Sequence, residues 1–206
     1  MTNSSVDRRW DFYQIPPSFV LGFHGCKSSV GEAVLGGHIT HLLPSAERYD
    51  WLGKGIYFWE GSPRRAWEWA VEKKKRDKHW PEDEPPFVLG AVINLGQCLD
   101  FRDSSSLLEV KDAYEVFRSL TADEEMPENE GNNDDNVFRH LDCAVINSLH
   151  SRREDKNLSP YNSVRADFWE GGPLYPGAGF RQKDHIQICV CDTDSIIGYF
   201  RPIEQS

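Results

Sequence analysis

Residues 51–63 read WLGKGIYFWEGSP, and the fold turns on how this stretch is read. Glycines at a strand entrance admit backbone angles closed to other residues, or let a ligand approach the main chain. Ile-Tyr-Phe-Trp then reads as a buried strand, and Glu-Gly-Ser-Pro breaks it at once. Ser62 and Pro63 suit the N-cap and first position of a helix. The helix that follows, RRAWEWAVEKKKR, aligns Ala66, Trp69 and Ala70 on one face and gathers Lys and Arg near its C-terminal end. A glycine-lined strand running into a capped helix is the pattern of a binding wall.

Working outward, FVLGFHG at 19–25 is a strand ending at Gly25. Ser29-x-x-Glu32 offers a capping box for a short helix that stops at Gly36-Gly37. FVLGAVINL at 87–95 is a continuous apolar run of strand length, and GQCLDF reads as a turn into a short strand. SSSLLEVKDAYEVFRSL places Leu107, Val110, Tyr114 and Phe117 on one helical face. VFRHLDCAVINSL at 137–149 aligns Phe138, Leu141 and Val145 as another helix. Gly, Pro, Ser and Asn dominate 157–180, the pattern of a long loop, and long ordered loops are often functional. HIQICV and SIIGYF close the chain as two strands. FWEGSP at 58–63 is echoed by FWEGGP at 168–173. Six residues are too few for a repeat, so the echo reads as a coincidence of two strand exits that can still border one cleft.

The chain has 206 residues and a net charge of −10, which suits one domain over 1–206. Seven of its carboxylates lie in 122–136, ADEEMPENEGNNDDN, without a basic residue; apart from them the balance is −3. That segment reads as a solvated, mobile loop, with binding of a basic partner the sharper alternative. KKKRDK at 73–78 is a solvated helix end that could also steer an anion. Cys26, Cys98, Cys143, Cys189 and Cys191 are odd in number and lack a C-x-x-C pair, which argues against a disulfide framework and a zinc site. His38 and His41 have no third ligand nearby, so no metal is expected. No apolar run is long enough for a membrane span and the N-terminal residues lack a signal-peptide core, so the expectation is a cytoplasmic protein.

Taken together, FHG at a strand end, GKGIYFW before a helix carrying A-x-x-W-A, and a C-terminal strand pair resemble the poly(ADP-ribose) polymerase-like branch of the ADP-ribosyltransferases. The resemblance covers residues 19–70 well, 185–200 fairly, and says little between 97 and 180. It implies an α+β ADP-ribosyltransferase-like fold of two packed, mainly antiparallel sheets, a split barrel with flanking helices. It implies NAD as co-substrate: His24 on the adenosine ribose, the backbone of Gly25 on the nicotinamide carboxamide, Tyr57 stacked on the nicotinamide ring, and Gly55, Phe58 and Trp69 as further cofactor-binding positions. An aromatic face suits a flat, positively charged heterocycle, and a backbone can match the carboxamide's donors and acceptor.

The third position of the family's H-Y-E triad departs. Gln187 stands where a glutamate is usual. A glutamine can accept the ribose hydrogen bond but brings no charge, which forfeits about 1–1.5 kcal/mol, roughly tenfold in rate. Strand period puts His185, Gln187 and Cys189 on one face and Asp184 on the other, so Glu170, in the loop before this strand, is the better candidate for a second carboxylate. The implied activity is mono-ADP-ribosylation of a macromolecule, protein or nucleic acid, in the manner of a toxin or defence effector with a neutralising partner protein. The alternatives are an NAD- or ADP-ribose-binding module without turnover and an NAD glycohydrolase.

Overall fold

A computed structural model describes residues 19–123, 125–132 and 135–203. The first element is β1 (Val20–Lys27), which runs directly into α1 (Ser28–Leu35). β2 (Ile56–Glu60) and α2 (Pro63–Arg76) are the strand and helix of the 51–63 stretch. They are followed by β3 (Pro86–Ile93), β4 (Cys98–Asp100) and α3 (Ser104–Leu120). A hairpin of β5 (Asn129–Asn132) and β6 (Asp135–Arg139) leads into α4 (His140–Asp155). β7 (Ser163–Phe168), β8 (His185–Val190) and β9 (Ile196–Phe200) complete the chain.

The class is α+β: four helices among the described residues surround a mixed seven-stranded sheet ordered β4-β7-β8-β2-β1-β3-β9. Every pairing in it is antiparallel except β4 with β7. Two packed sheets were expected. Instead the seven strands share one ladder that does not close, because each strand finds its partner in a single series of neighbours.

Strand alternation sorts the core into two layers. On one face Ile56, Phe58, Leu89, Ile93, Ile188 and Val190 pack with Val34 of α1. On the other face, Val164, Ala166 and Cys189 meet Ala113 of α3 and Val145, Ile146 and Leu149 of α4, while Phe23 and Trp59 lie under Ala66 of α2. Full burial of an aromatic such as Phe58 contributes about 1.5–3 kcal/mol by area, and its exposure here is 0%.

The ends of α2 follow the sequence: Pro63 opens it, Ser62 Oγ accepts from the Arg65 N–H at 3.4 Å, and Lys73–Arg76 fill the last turn. Those of α1 do not. Its N-cap is Lys27, and Glu84 from across the sheet accepts the Ser29 N–H at 2.9 Å, so Glu32 is released to pair with Arg201. Residues 137–139 belong to β6 rather than to a helix, because pairing with β5 outcompetes the i, i+3 pattern. The 122–136 segment is therefore in part a hairpin rather than a loop throughout; Glu124, Asn133 and Asp134 lie outside the described residues. The expected 157–180 loop is interrupted by β7, whose Val164, Ala166 and Phe168 alternate with Arg165 and Asp167 and insert between β4 and β8. All five cysteines are free. Among the described residues no group of His, Cys, Asp and Glu could hold a metal, and no helix is long and apolar enough to cross a membrane.

Candidate active site

Strand β1 has two neighbours and treats them differently. It pairs with β3 along its whole length, from Val20↔Ile93 to Lys27↔Pro86, but with β2 only at Gly22↔Glu60 and Phe23↔Trp59. The Leu21 carbonyl accepts from Gly61 N–H on the β2 side, and the Ser28 N–H reaches Pro85 on the β3 side. Since backbone groups alternate along an antiparallel strand, the N–H and C=O of Phe23 and Gly25 also face β2. The β1–β2 ladder ends at Phe23, so the polar groups of Gly25, a buried residue, face a seam without ladder pairing.

A side chain bridges that seam. His24 Nδ1 donates to the Tyr57 carbonyl at 2.7 Å, taking the place a strand partner would fill. Its ring sits 5.9 Å from Phe58 below the sheet and 6.4 Å from Trp69 of α2 above it. Burial, with Lys73 adding repulsion, holds the His24 pKa down at about 4. The imidazole is neutral at pH 7, and with the proton on Nδ1 its Nε2 is an acceptor suited to a hydroxyl.

Gly25 can only be glycine here: a Cβ would lie 2.1 Å from the Ala66 carbonyl, against the backbone of α2. At Gly55 a Cβ would lie 2.5 Å from Cys189 Sγ and 2.6 Å from the Val190 carbonyl, so this glycine serves the close approach of β8. Tyr57 is half-buried, and its hydroxyl donates to the Gly53 carbonyl at 2.6 Å and accepts from the Leu52 N–H at 2.8 Å. Burial raises its pKa far above the usual phenol range, so the ring stays neutral and fixed in place. Phe58 departs from the cofactor-binding expectation, because strand alternation turns it into the opposite core. Trp69 lies over the seam, 5.5 Å from Trp59, with Lys73 Nζ 4.6 Å from its ring.

Register places Gln187 beside these residues. Tyr57 pairs with Cys189 and Trp59 with Gln187, so Tyr57, Trp59, Gln187 and His185 share one face. Gln187 is half-buried, and its amide makes no hydrogen bond among the described residues. Glu170 is engaged by other partners. Its carboxylate is held by Arg65 of α2 at 3.2 Å, with Lys183 Nζ at 3.7 Å and His185 Nδ1 at 3.9 Å. Two cations thus offset its charge.

Three residues that sequence reasoning left without a role stand out here. Trp59 Nε1, Arg65 Nε and His185 Nε2 are buried and lack any hydrogen-bond partner. The period-2 face shared with Gln187 is the sequence signal for His185; nothing in the sequence marks Arg65. Two surface cavities lie nearby. One, of about 440 Å³, is lined by Trp51, Phe101, Arg139, Phe168, Trp169 and Arg181. The other, of about 420 Å³, is bordered by Glu60 and Ser62 from the first FWEG exit and Phe168 and Trp169 from the second, so the two echoed exits do meet at one cleft. Neither cavity reaches His24, Gly25, Tyr57 or Gln187. Compared with known proteins, the chain matches no family model, no curated protein and no solved structure.

Proposed function

We propose that the chain is an NAD-dependent mono-ADP-ribosyltransferase of the poly(ADP-ribose) polymerase-like kind, with the corresponding ADP-ribosyltransferase fold. The observation that carries the reading is the seam at His24–Tyr57. There one strand leaves its neighbour, the backbone of Gly25 faces the opening, a neutral imidazole offers an acceptor for a ribose hydroxyl, and Gln187 stands on the face of Tyr57. NAD is the co-substrate, the acceptor is a macromolecule, and a neutralising partner protein belongs to the same reading.

The neutral Gln187 and the cation-bound Glu170 favour a second reading, an NAD- or ADP-ribose-binding module with little turnover. One set of measurements separates them. Tyr57→Ala is expected to weaken NAD by about 1–3 kcal/mol, or about five- to 150-fold, in calorimetry. Gln187→Glu is expected to raise nicotinamide release about tenfold. Unchanged NAD affinity in Tyr57→Ala and in His24→Ala overturns the site. Tight NAD binding without nicotinamide release, in the native protein and in Gln187→Glu alike, leaves the binding module.

A further inference from the structure

A glutamine cannot take up a proton at neutral pH, yet transfer of ADP-ribose to any O–H, N–H or water must deposit one. Of the four unpartnered buried nitrogens among the described residues, His150 Nε2 lies on α4, and the other three bear on this gap and on the class of acceptor. Trp59 is 3% exposed, Arg65 8%, and the His185 side chain 1%. The Trp59 and His185 rings are 6.3 Å apart, and Arg65 and His185 both approach the same oxygen of Glu170. The three side chains are therefore neighbours between β2, β8, the first turn of α2 and the 169–184 loop, with Arg65 and His185 turning other nitrogens than the unpartnered ones to Glu170. That loop is fastened over the patch by Arg65–Glu170 and by Lys183 Nζ on Glu72 at 2.8 Å.

Their hydrogen-bonding types are two donors and one acceptor. Trp59 Nε1 and Arg65 Nε can only donate. His185 Nδ1 donates to the Lys183 carbonyl at 2.7 Å, which leaves Nε2 as an acceptor. Two donors and one acceptor are the complement of a single O–H group, which has two lone pairs and one proton; a protonated amine or guanidinium has no lone pair to offer the donors. Leaving a buried polar atom unsatisfied is costly to a fold, so three on neighbouring side chains mark a place for a group the protein itself does not supply.

Resting on the transferase reading, we propose that Trp59, Arg65 and His185 form a hydroxyl subsite, with His185 as the base that takes the proton of an acceptor alcohol or of water. In the step, the C1′–N bond to nicotinamide breaks and its electron pair stays on the ring nitrogen. The acceptor oxygen's proton passes to His185 Nε2 and later to solvent, and the O–H bonding pair so released forms the C1′–O bond while Trp59 and Arg65 keep the two lone pairs. Glu170, 3.9 Å from Nδ1, stabilises the imidazolium. The charged groups around the ring are Glu170 and Lys183 of the loop, Asp184 beside it, Arg65 of α2, and Arg139, whose guanidinium lies over the Trp51 and Phe168 rings that pack on His185. Burial leads among the effects that lower the His185 pKa, so the base is ready at neutral pH.

The test incubates the full chain with NAD in aqueous methanol and separates nicotinamide, ADP-ribose and O-methyl-ADP-ribose by mass spectrometry, with agmatine as the guanidinium probe. The native protein is expected to give the methyl product, ADP-ribose or both, and no agmatine adduct. His185→Asn keeps a donor for the Lys183 carbonyl and loses the proton-accepting nitrogen. It is expected to bind NAD as the native protein does, to lose about 10²–10⁴-fold in product formation, and to lose the acid limb of the pH–rate profile. An agmatine adduct, or a His185→Asn variant with the native rate and pH profile, overturns the subsite while the transferase reading stands. An absence of nicotinamide release and of NAD binding in the native protein overturns both.

Discussion

The two sides of β1 make an instructive pair. Toward β3 every residue is matched, and the ladder runs from end to end; toward β2 the match lasts two residues. The same eight residues are thus a closed seam on one side and an open one on the other. A strand's own sequence does not settle which. Gly25 has no Cβ to hold β1 off α2, and His24 reaches sideways to the Tyr57 carbonyl where Gly25 would otherwise pair. The side chain substitutes for the ladder and keeps the seam from closing.

The largest test of this contrast removes the packing beneath it. Phe58 lies under the last paired positions, its Cβ 2.8 Å from where a Gly22 Cβ would stand. Phe58→Ala is expected to cost about 3–5 kcal/mol in urea denaturation. A loss below 1 kcal/mol would mean that the residue is not core and would reopen its assignment to a ligand.

Amide exchange reads the two seams directly. The N–H groups of Gly22, His24 and Cys26 face β3, and that of Gly25 faces β2. In native-state exchange, Gly25 is expected to exchange about 10²-fold or more faster than His24 and Cys26, since local opening precedes global unfolding. Equal protection would show that both sides are closed.

The smallest effect is the pH response of the bridging side chain. His24 has its pKa near 4 when folded and about 6.5 when unfolded. The unfolded chain therefore binds the extra proton first. Stability from this group is complete above pH 6.5 and is lost as pH falls from 6.5 toward 4, by about 2 kcal/mol after allowing for the ring's residual exposure. Comparing native protein with His24→Gln cancels the other titrating groups. Parallel stability curves over that window would remove His24 from the seam.

Much of this architecture was legible in the sequence, for local reasons. β2 and α2 announce themselves because Ser62, Pro63 and the Ala66–Trp69–Ala70 face act within a few residues of one another. β7 was missed even though Val164, Ala166 and Phe168 alternate, because Gly, Pro and Asn crowd both of its flanks. The start of α4 was misplaced because Phe138 and Leu141 satisfy helical spacing while the β5 partner that claims 135–139 is distant from any local signal. Of the candidate site, the face shared by Tyr57 and Gln187 follows from strand period once register is known. The patch of Trp59, Arg65 and His185 does not, since it is assembled from three separate segments.

Helix α2 is fastened to both sides of the open seam. Its inner face rests on β1, with no side chain at Gly25 to cushion the contact. Its residues Arg65 and Glu72 grip Glu170 and Lys183 of the loop that leads into β8. Any ligand that wedges β1 from β2 must carry this helix with it, and the helix then drags on the loop. One helix thus joins the strand at Gly25 to the loop beside His185, so the two are mechanically coupled and neither can shift far without straining the contacts of the other.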